Sequence, residues 1–183
     1  MTGWKNKHKV MQRYDLTADM YEERYAEEQK AKYKAALENL NVADSKVLDV
    51  GCGSGLFFIH AATQASMVVG VDISRRLLLK AKEQASAFQN VSVLQADADH
   101  LPLKDAFFDV ACAFTVLQNM PKPYETLREL RRVVKFGGAI AVTGLKKAFS
   151  LSTFTAILES AGLNLVLFVN DEELKCYVAV LAT

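Results

Sequence analysis

Two hydrophobic periodicities alternate along most of the chain. Short apolar runs, typical of buried strands, occupy residues 46–50, 67–72, 91–95, 108–114 and 139–143. Stretches with the apolar spacing of a helix cover residues 56–66, 74–88, 122–134 and 151–161. Two last apolar runs, 163–169 and 175–182, flank a polar break at 170–173, which predicts a hairpin. This alternation predicts a doubly wound, mostly parallel seven-stranded α/β sheet with a C-terminal antiparallel hairpin.

The segment before the first strand has a different composition. Residues 12–45 are rich in Tyr, Glu, Lys and Ala, and we expect an N-terminal helical cap there. We expect the core to span 46–183 within a single domain, 1–183. Inside that core, Gly137-Gly138 predicts a turn into the fifth strand, and Gly162 predicts the end of helix 151–161.

Composition and charge narrow the class of protein. Of the 183 residues, 51% are hydrophobic and 23% are charged, as in an ordinary globular domain. The net charge of +1 argues against binding nucleic acid by bulk electrostatics alone. No apolar run approaches the roughly 20 residues of a bilayer span, and none follows the basic N-terminus, so we expect a cytoplasmic protein without a membrane segment. The three cysteines and three histidines are scattered, which predicts no metal site.

The segment VLDVGCGSG, residues 47–55, carries the clearest chemical signal. A buried strand passes directly into a glycine-rich turn and then a helix, and glycines let a ligand approach the backbone. Asp49 places a carboxylate beside this turn. Asp72 ends the second strand, 23 residues later, where a carboxylate can accept both hydroxyls of a ribose.

The glycine spacing distinguishes between two classes of ligand. A dinucleotide site has the spacing GxGxxG, whereas Gly51, Gly53 and Gly55 form GxGxG and Leu56 occupies the third dinucleotide position. Asp49 would repel a pyrophosphate but suits an amino group. The residues therefore favour a ligand with a ribose and a cationic head, the alternative being glycines that only form a tight turn.

At these residues the chain resembles the class I, Rossmann-like S-adenosylmethionine-dependent methyltransferases, over roughly residues 12–145. The resemblance implies S-adenosylmethionine as cofactor, bound by Tyr14, Tyr21, Asp49, Gly51, Cys52, Gly53, Gly55, Asp72, Ile73, Asp97, Ala98, Phe114 and Thr115. By this likeness Asp97 takes the adenine amino group and the Ala98 amide contacts the ring. Phe114–Gln118 passes beneath the methionine end, and Tyr14 and Tyr21 belong to a covering segment.

The catalytic residues stay unknown at this stage. The protein must mainly align a nucleophile with the S–CH₃ bond, and it needs a general base only if that nucleophile arrives protonated. The candidates near the mouth of the site are Tyr14, Tyr21, Gln118, Asn119 and His100.

The methyl acceptor is also open. The short link 144–150 leaves little to enclose a substrate, so the acceptor is RNA or a translation protein with a partner subunit completing the site, or a small metabolite with the N-terminal helices as a lid. A non-catalytic cofactor-binding subunit is a third reading. Strand 91–95 is expected at a sheet edge without charged residues, where a small activator subunit could pair. The basic stretch Lys5, Lys7, His8, Lys9 and Arg13 could touch phosphate or simply be solvated.

Overall fold

A computed structural model describes residues 2–18 and 21–183, with side chains for 3–18 and 27–183. The helices are α1 (Thr2–Thr17), α2 (Tyr21–Leu37), α3 (Phe58–Ala61), α4 (Arg75–Ala85), α5 (Pro123–Val133) and α6 (Leu151–Ser160). The strands are β1 (Lys46–Val50), β2 (Met67–Asp72), β3 (Val91–Gln95), β4 (Phe108–Ala113), β5 (Val134–Leu145), β6 (Asn164–Val169) and β7 (Cys176–Ala182). A short 3₁₀ turn, Leu117–Asn119, follows β4.

The seven strands form one sheet in the order β3-β2-β1-β4-β5-β7-β6. Parallel pairing joins β1 to β2 and β4, β2 to β3, and β4 to β5. Strand β7 lies between β5 and β6 and is antiparallel to both. The expected fold class is therefore confirmed, including the single antiparallel strand that the C-terminal hairpin inserts. Strand order reverses between β1 and β4, and the carboxyl ends of these strands open a crevice there.

Apolar residues cover both faces of the sheet because helices lie on both sides. In β1, Val47 faces one core, whereas Leu48 and Val50 face the other. The first core is completed from α2, α3 and α4, and the second from α5 and α6. Such two-sided burial explains why the central strands appear in the sequence as nearly continuous apolar runs.

Strand β5 begins earlier than the sequence predicts. Helix α5 passes directly into β5 at Val134, so Gly137-Gly138 lies inside the strand and the expected turn before it is wrong. The pairing register jumps from Phe108–Val134 to Val110–Ala139, which marks a bulge. Gly137 has a φ of +76° in this bulge, and a Cβ on Gly138 would lie 2.7 Å from the Asp109 carbonyl oxygen. Pairing with β4 recruits these residues into the sheet.

The N-terminal helices also differ in extent from the expected segment. Helix α1 begins at Thr2 rather than near residue 12, and α2 ends at Leu37 rather than near residue 45. Helix α3 spans four residues where a helix over 56–66 was expected. Gly162 has a φ of +63° directly after the C-cap of α6, as its predicted role at a helix end requires.

The structure also bears on membrane spans, metal sites and disulfides. Within the described ranges, no helix is long and apolar enough to cross a lipid bilayer. The described residues also contain no group of three or more His, Cys, Asp or Glu side chains placed to hold a metal ion. All three cysteines are free and buried.

Candidate functional site

A cavity opens at the carboxyl ends of β1, β2, β3 and β4. Nine of the residues implied by the sequence resemblance line it together: Tyr14, Gly51, Gly53, Asp72, Ile73, Asp97, Ala98, Phe114 and Thr115. They come from α1 and from the four segments that follow these strands, which is where open α/β sheets bind ligands. The cavity is therefore the candidate cofactor site.

The glycine loop shapes one wall of this cavity. The amides of Gly51 and Cys52 both donate to the Val71 carbonyl oxygen, at 2.7 and 3.0 Å, which turns the chain sharply at the end of β1. Gly51 has a φ of +71°, and a Cβ there would lie 2.4 Å from Cγ2 of Val116. Only glycine fits this conformation and this close approach without strain.

Asp72 anchors the loop from the end of β2. Its Oδ2 accepts a hydrogen bond from the Gly53 amide at 2.9 Å, and its Oδ1 accepts one from the Ser74 amide at 2.8 Å. Burial raises the pKa of this carboxyl, against the lowering effect of these backbone hydrogen bonds. Each oxygen keeps lone pairs for further donors, so Asp72 can hold ribose hydroxyls while it orders the loop.

Asp49 lies in β1 and is 2% exposed. It is not among the residues that line the cavity, but the next two residues, Val50 and Gly51, are. None of the described residues gives its Oδ2 a hydrogen bond. Burial, together with the nearby charge of Asp72, raises the pKa of Asp49 to about 8. A buried carboxyl oxygen without a partner is costly, and a cationic amino group would satisfy it. This orphaned oxygen fits the amino-acid end of S-adenosylmethionine.

Two implied residues contribute structure rather than cavity surface. The Cys52 side chain is buried, its Sγ 3.0 Å from where a Cβ on Gly70 would lie, and burial raises its pKa well above the usual thiol value. A Cβ on Gly55 would lie 2.6 Å from the ring of Phe58, so this glycine permits close packing of α3. Neither residue is among those that line the cavity.

Asp97 is held by a residue that the sequence analysis did not place in the site. The Lys7 ammonium donates to Asp97 Oδ1 and Oδ2 at 2.7 and 2.8 Å and lies 2.5 Å from Asp99 Oδ2. Burial alone would raise the pKa of Asp97, but the Lys7 hydrogen bond and the Asp99 amide lower it. Conversely, burial would lower the pKa of Lys7, but its two carboxylate partners raise it.

Helix α1 is fastened to two further loops around the cavity. Asp15 accepts hydrogen bonds from the Ser74 hydroxyl at 2.5 Å and from the Arg76 amide at 3.2 Å, at the start of α4. After β4, the Asn119 side chain accepts from Arg13 at 2.9 Å and donates to the Tyr14 hydroxyl at 3.2 Å. Together with the Lys7 contacts, these bonds tie α1 to the segments after β2, β3 and β4, and Lys7, Val10 and Tyr14 line the cavity.

One face of α1 lines the cavity, and the sequence carried a signal for it. Lys7, Val10 and Tyr14 are spaced three and four residues apart, so they lie on the same side of a helix. Because the cap was expected to start at residue 12, Lys7 was considered only as part of a basic stretch. Sequence reasoning also missed Gln29 and Lys32 of α2, whose side chains reach Thr115 at 3.2 and 3.1 Å.

The candidate general bases differ in whether their side chains line the cavity. Tyr14 and Asn119 line the cavity. Gln118 donates to the Thr115 carbonyl oxygen at 2.8 Å. The His100 side chain is 82% exposed and does not line the cavity. Tyr21 begins α2, but its side chain lies outside the described residues.

Comparison with known proteins identifies the family of this chain. The family described as "Methyltransferase domain" matches residues 48–142. A demethylmenaquinone methyltransferase from Staphylococcus saprophyticus is 36% identical over 118 residues, 62% of this chain and 51% of that protein. A Staphylococcus aureus protein of the same name is 33% identical over 118 residues. The chain thus spans about half the length of the curated relatives it matches.

Two solved structures share the fold. A SAM-dependent methyltransferase from Aquifex aeolicus superimposes with a TM-score of 0.73 at 22% identity, over 81% of this chain and 88% of that one. A complex of the Haloferax volcanii Trm112 methyltransferase activator with a methyltransferase contains a chain that superimposes with a TM-score of 0.76. That chain is 18% identical, over 92% of this chain and 96% of its own length. At these identities the likeness shows the fold alone.

Proposed function

This chain belongs to the class I S-adenosylmethionine-dependent methyltransferases, and we propose that it transfers the methyl group of that cofactor to a small-molecule acceptor. The cofactor supplies a methyl group already activated on a sulfonium. The protein therefore has to bind and orient two reactants and exclude water, and it needs no nucleophile of its own.

The residues around the cavity suit these tasks. We assign the cofactor's amino group to Asp49 because its buried Oδ2 has no partner among the described residues. The ribose hydroxyls are assigned to Asp72, whose oxygens line the cavity beside the loop they order. The adenine end is assigned to Asp97 and Ala98, with Lys7 holding the Asp97 carboxylate in place.

The roof formed by α1 is the observation that carries the small-molecule assignment. Three sets of hydrogen bonds fasten this helix across the loops after β2, β3 and β4, and three of its residues line the cavity. A cavity covered on this side suits a small molecule better than a polymer. The names of the curated relatives, which specify demethylmenaquinone, point to the same class of acceptor. A lid of this kind excludes water, as methyl transfer requires.

Labelled methyl transfer tests the proposal. The protein is incubated with methyl-labelled cofactor and cell extract fractionated into RNA, protein and small molecules. We expect label in the small-molecule fraction. Label confined to RNA or protein would contradict the proposal, and cofactor binding without any transfer would favour the non-catalytic reading.

A partner subunit at β3 is the second candidate arrangement, with RNA or a translation protein as acceptor. Strand β3 lies at the edge of the sheet, its five residues carry no charge, and Leu94 is 37% exposed. A partner strand could add there through main-chain hydrogen bonds. A structural neighbour of the same fold comes from a complex with the Trm112 methyltransferase activator, which supports considering a partner subunit here.

Co-purification from the native cell distinguishes the two arrangements. A stoichiometric partner that is lost with Val93→Lys but kept with Val93→Thr would support the edge interface. A monomer fully active on a small metabolite would exclude it. A cytoplasmic location and the division into a cap, 12–45, and a core, 46–183, remain proposals alongside these.

A further inference from the structure

A buried polar cluster lies beside the cofactor cavity and is not needed for any of the cofactor contacts assigned above. Gln29 and Lys32 reach from α2 to Thr115, which follows β4, and Glu28 on the same helix pairs with Lys32. Lys32 is 1% exposed, and Gln29 is also buried. The Lys32 ammonium donates to Glu28 Oε1 at 2.7 Å and to Thr115 Oγ1 at 3.1 Å. A lysine is seldom this deeply buried unless its charge has a purpose or a partner.

Thr115 is held in an unusual conformation at the cavity wall. Its φ is +63°, which is costly for a β-branched residue and occurs mainly where the surroundings impose it. Its amide donates to the Thr143 hydroxyl at 2.7 Å. Its carbonyl oxygen accepts from Gln118 at 2.8 Å and from Asn119 at 2.9 Å. The side chain is therefore fixed in direction before any ligand arrives.

The hydrogen bonds of the Thr115 hydroxyl determine what it can offer to a ligand. A hydroxyl has one hydrogen to donate and two lone pairs. Lys32 can only donate, and the shorter Gln29 contact, 3.2 Å from Nε2, also places a donor on this oxygen. The hydroxyl's own hydrogen goes to Gln29 Oε1 at 3.4 Å, a long contact that an oxygen anion in the cavity lined by Thr115 could replace. A positive charge directly behind it strengthens donation to an oxygen anion.

The position of the cluster separates it from the cofactor residues. Asp49 lies near the end of β1, Asp72 ends β2 and Asp97 follows β3, all on one side of the point where strand order reverses. Thr115 follows β4, and the Thr143 hydroxyl that holds it belongs to β5, on the other side. A cofactor extended along β1 to β3 leaves the β4 side of the cavity for the second reactant.

We propose that the Thr115 hydroxyl, positioned by Lys32 and Gln29, binds an anionic oxygen of the methyl acceptor, so that the acceptor is a small molecule with an ionised enol, phenol or carboxyl group. Thr115 is the binding residue, and Lys32 and Gln29 are positioning residues. This inference rests on the function proposed above, since it concerns the acceptor side of the same cavity.

Binding of matched probes tests the inference. The protein is saturated with the demethylated cofactor product and titrated by calorimetry with 2-hydroxy-1,4-naphthoquinone, a vinylogous acid that is ionised at neutral pH, and with its neutral methyl ether. Benzoate and benzamide form a second pair. We expect the ionised member of at least one pair to bind about tenfold more tightly than its neutral counterpart.

Three variants identify the source of that preference. Lys32→Met removes the charge but keeps the length of the side chain, and Thr115→Val removes the hydroxyl but keeps the β-branched shape. Each should reduce the preference to about threefold or less, and each should weaken the ionised probe by more than it weakens the cofactor product. Lys175→Met is the matched control, because Lys175 donates to Glu28 Oε2 at 3.0 Å from an exposed position and should keep the preference.

The outcomes separate this inference from the proposed function. Failure of the wild-type protein to bind the cofactor product would refute the proposed function itself. With cofactor binding intact, the inference is overturned if neither pair discriminates in the wild type or if Lys32→Met retains the preference. It is also overturned if Thr115→Val weakens the cofactor product as much as the ionised probe, since the hydroxyl would then serve the cofactor.

Discussion

The affinity for the cofactor should depend steeply on pH because of Asp49. With a pKa of about 8, this carboxyl is almost entirely protonated at pH 6, where about one molecule in 100 has it ionised. A cationic amino group binds the ionised form, so at low pH binding has to release a proton. The ionised fraction rises to about half at pH 8, so the affinity should increase about 50-fold between pH 6 and pH 8. At about 1.36 kcal/mol per tenfold, this increase corresponds to about 2.3 kcal/mol of binding free energy.

Calorimetry with the demethylated cofactor product measures this directly, because the product keeps the amino-acid end. Titrations in buffers of different ionisation enthalpy should show about one proton released per molecule bound at pH 6 and about half a proton at pH 8. Asp49→Asn is the matched variant, since it keeps the shape but cannot ionise. Its affinity should be flat across this range and lower than the wild-type value at pH 6.

The stability of the free protein gives an independent check on the same group. A carboxyl with a raised pKa binds more protons in the folded state, so its contribution makes stability fall as pH rises from about 4 to about 8. Asp49→Asn should therefore raise the Tm at pH 8 and change it little at pH 4. A wild-type affinity that is flat between pH 6 and pH 8, or a slope that persists in Asp49→Asn, would refute the role assigned to Asp49.

Three further predictions follow from the same site. S-adenosylmethionine and its demethylated product should bind at roughly micromolar affinity and NAD should not, given the loop spacing and Asp49; tighter calorimetric binding of NAD would overturn the cofactor assignment. Asp72→Ala should cost about 1–3 kcal/mol of cofactor binding, roughly tenfold or more, and unchanged affinity in a folded variant would remove Asp72 from the site. Lys7→Met should lower the Tm at pH 7. The stability that the ionised Asp97 contributes is present above about pH 4 and disappears as pH falls through its lowered pKa. The stability that the charged Lys7 contributes persists up to about pH 10 and is lost as pH rises through its raised pKa. An equal Tm loss at pH 3 and pH 7 would contradict this ion-pair explanation.

Local sequence patterns were sufficient for much of the sheet and for the glycine loop. Strands β1, β2 and β3 begin and end where the apolar runs do. For β1 and β2 the reason is that a strand covered on both faces needs a nearly continuous apolar segment. The positive φ of Gly51 is similarly local, because a turn that tight excludes other residues. The acids at the ends of β1 and β2 could be recognised because parallel strands bring their carboxyl ends to one edge.

Tertiary structure decided the contacts that join distant parts of the chain. Lys7 and Asp97 are 90 residues apart, and nothing in either segment specifies their pairing until α1 lies across the end of β3. The first residues of β5 have a glycine pair that predicts a turn, yet hydrogen bonding to β4 outweighs that local preference. In each case the decisive energy comes from a partner that is remote in sequence.

The backbone conformation of Thr115 is the clearest feature that the local sequence does not predict. Threonine has no local tendency towards a positive φ, so the sequence at this position predicts an ordinary backbone. The strain is sustained by three partners on two other segments: Thr143 on β5, and Gln29 and Lys32 on α2. The sequence by itself thus determined the sheet, the loop and the cofactor class, whereas the roof over the cavity and the polarised hydroxyl in its wall exist only because folding brings remote residues within hydrogen-bonding distance.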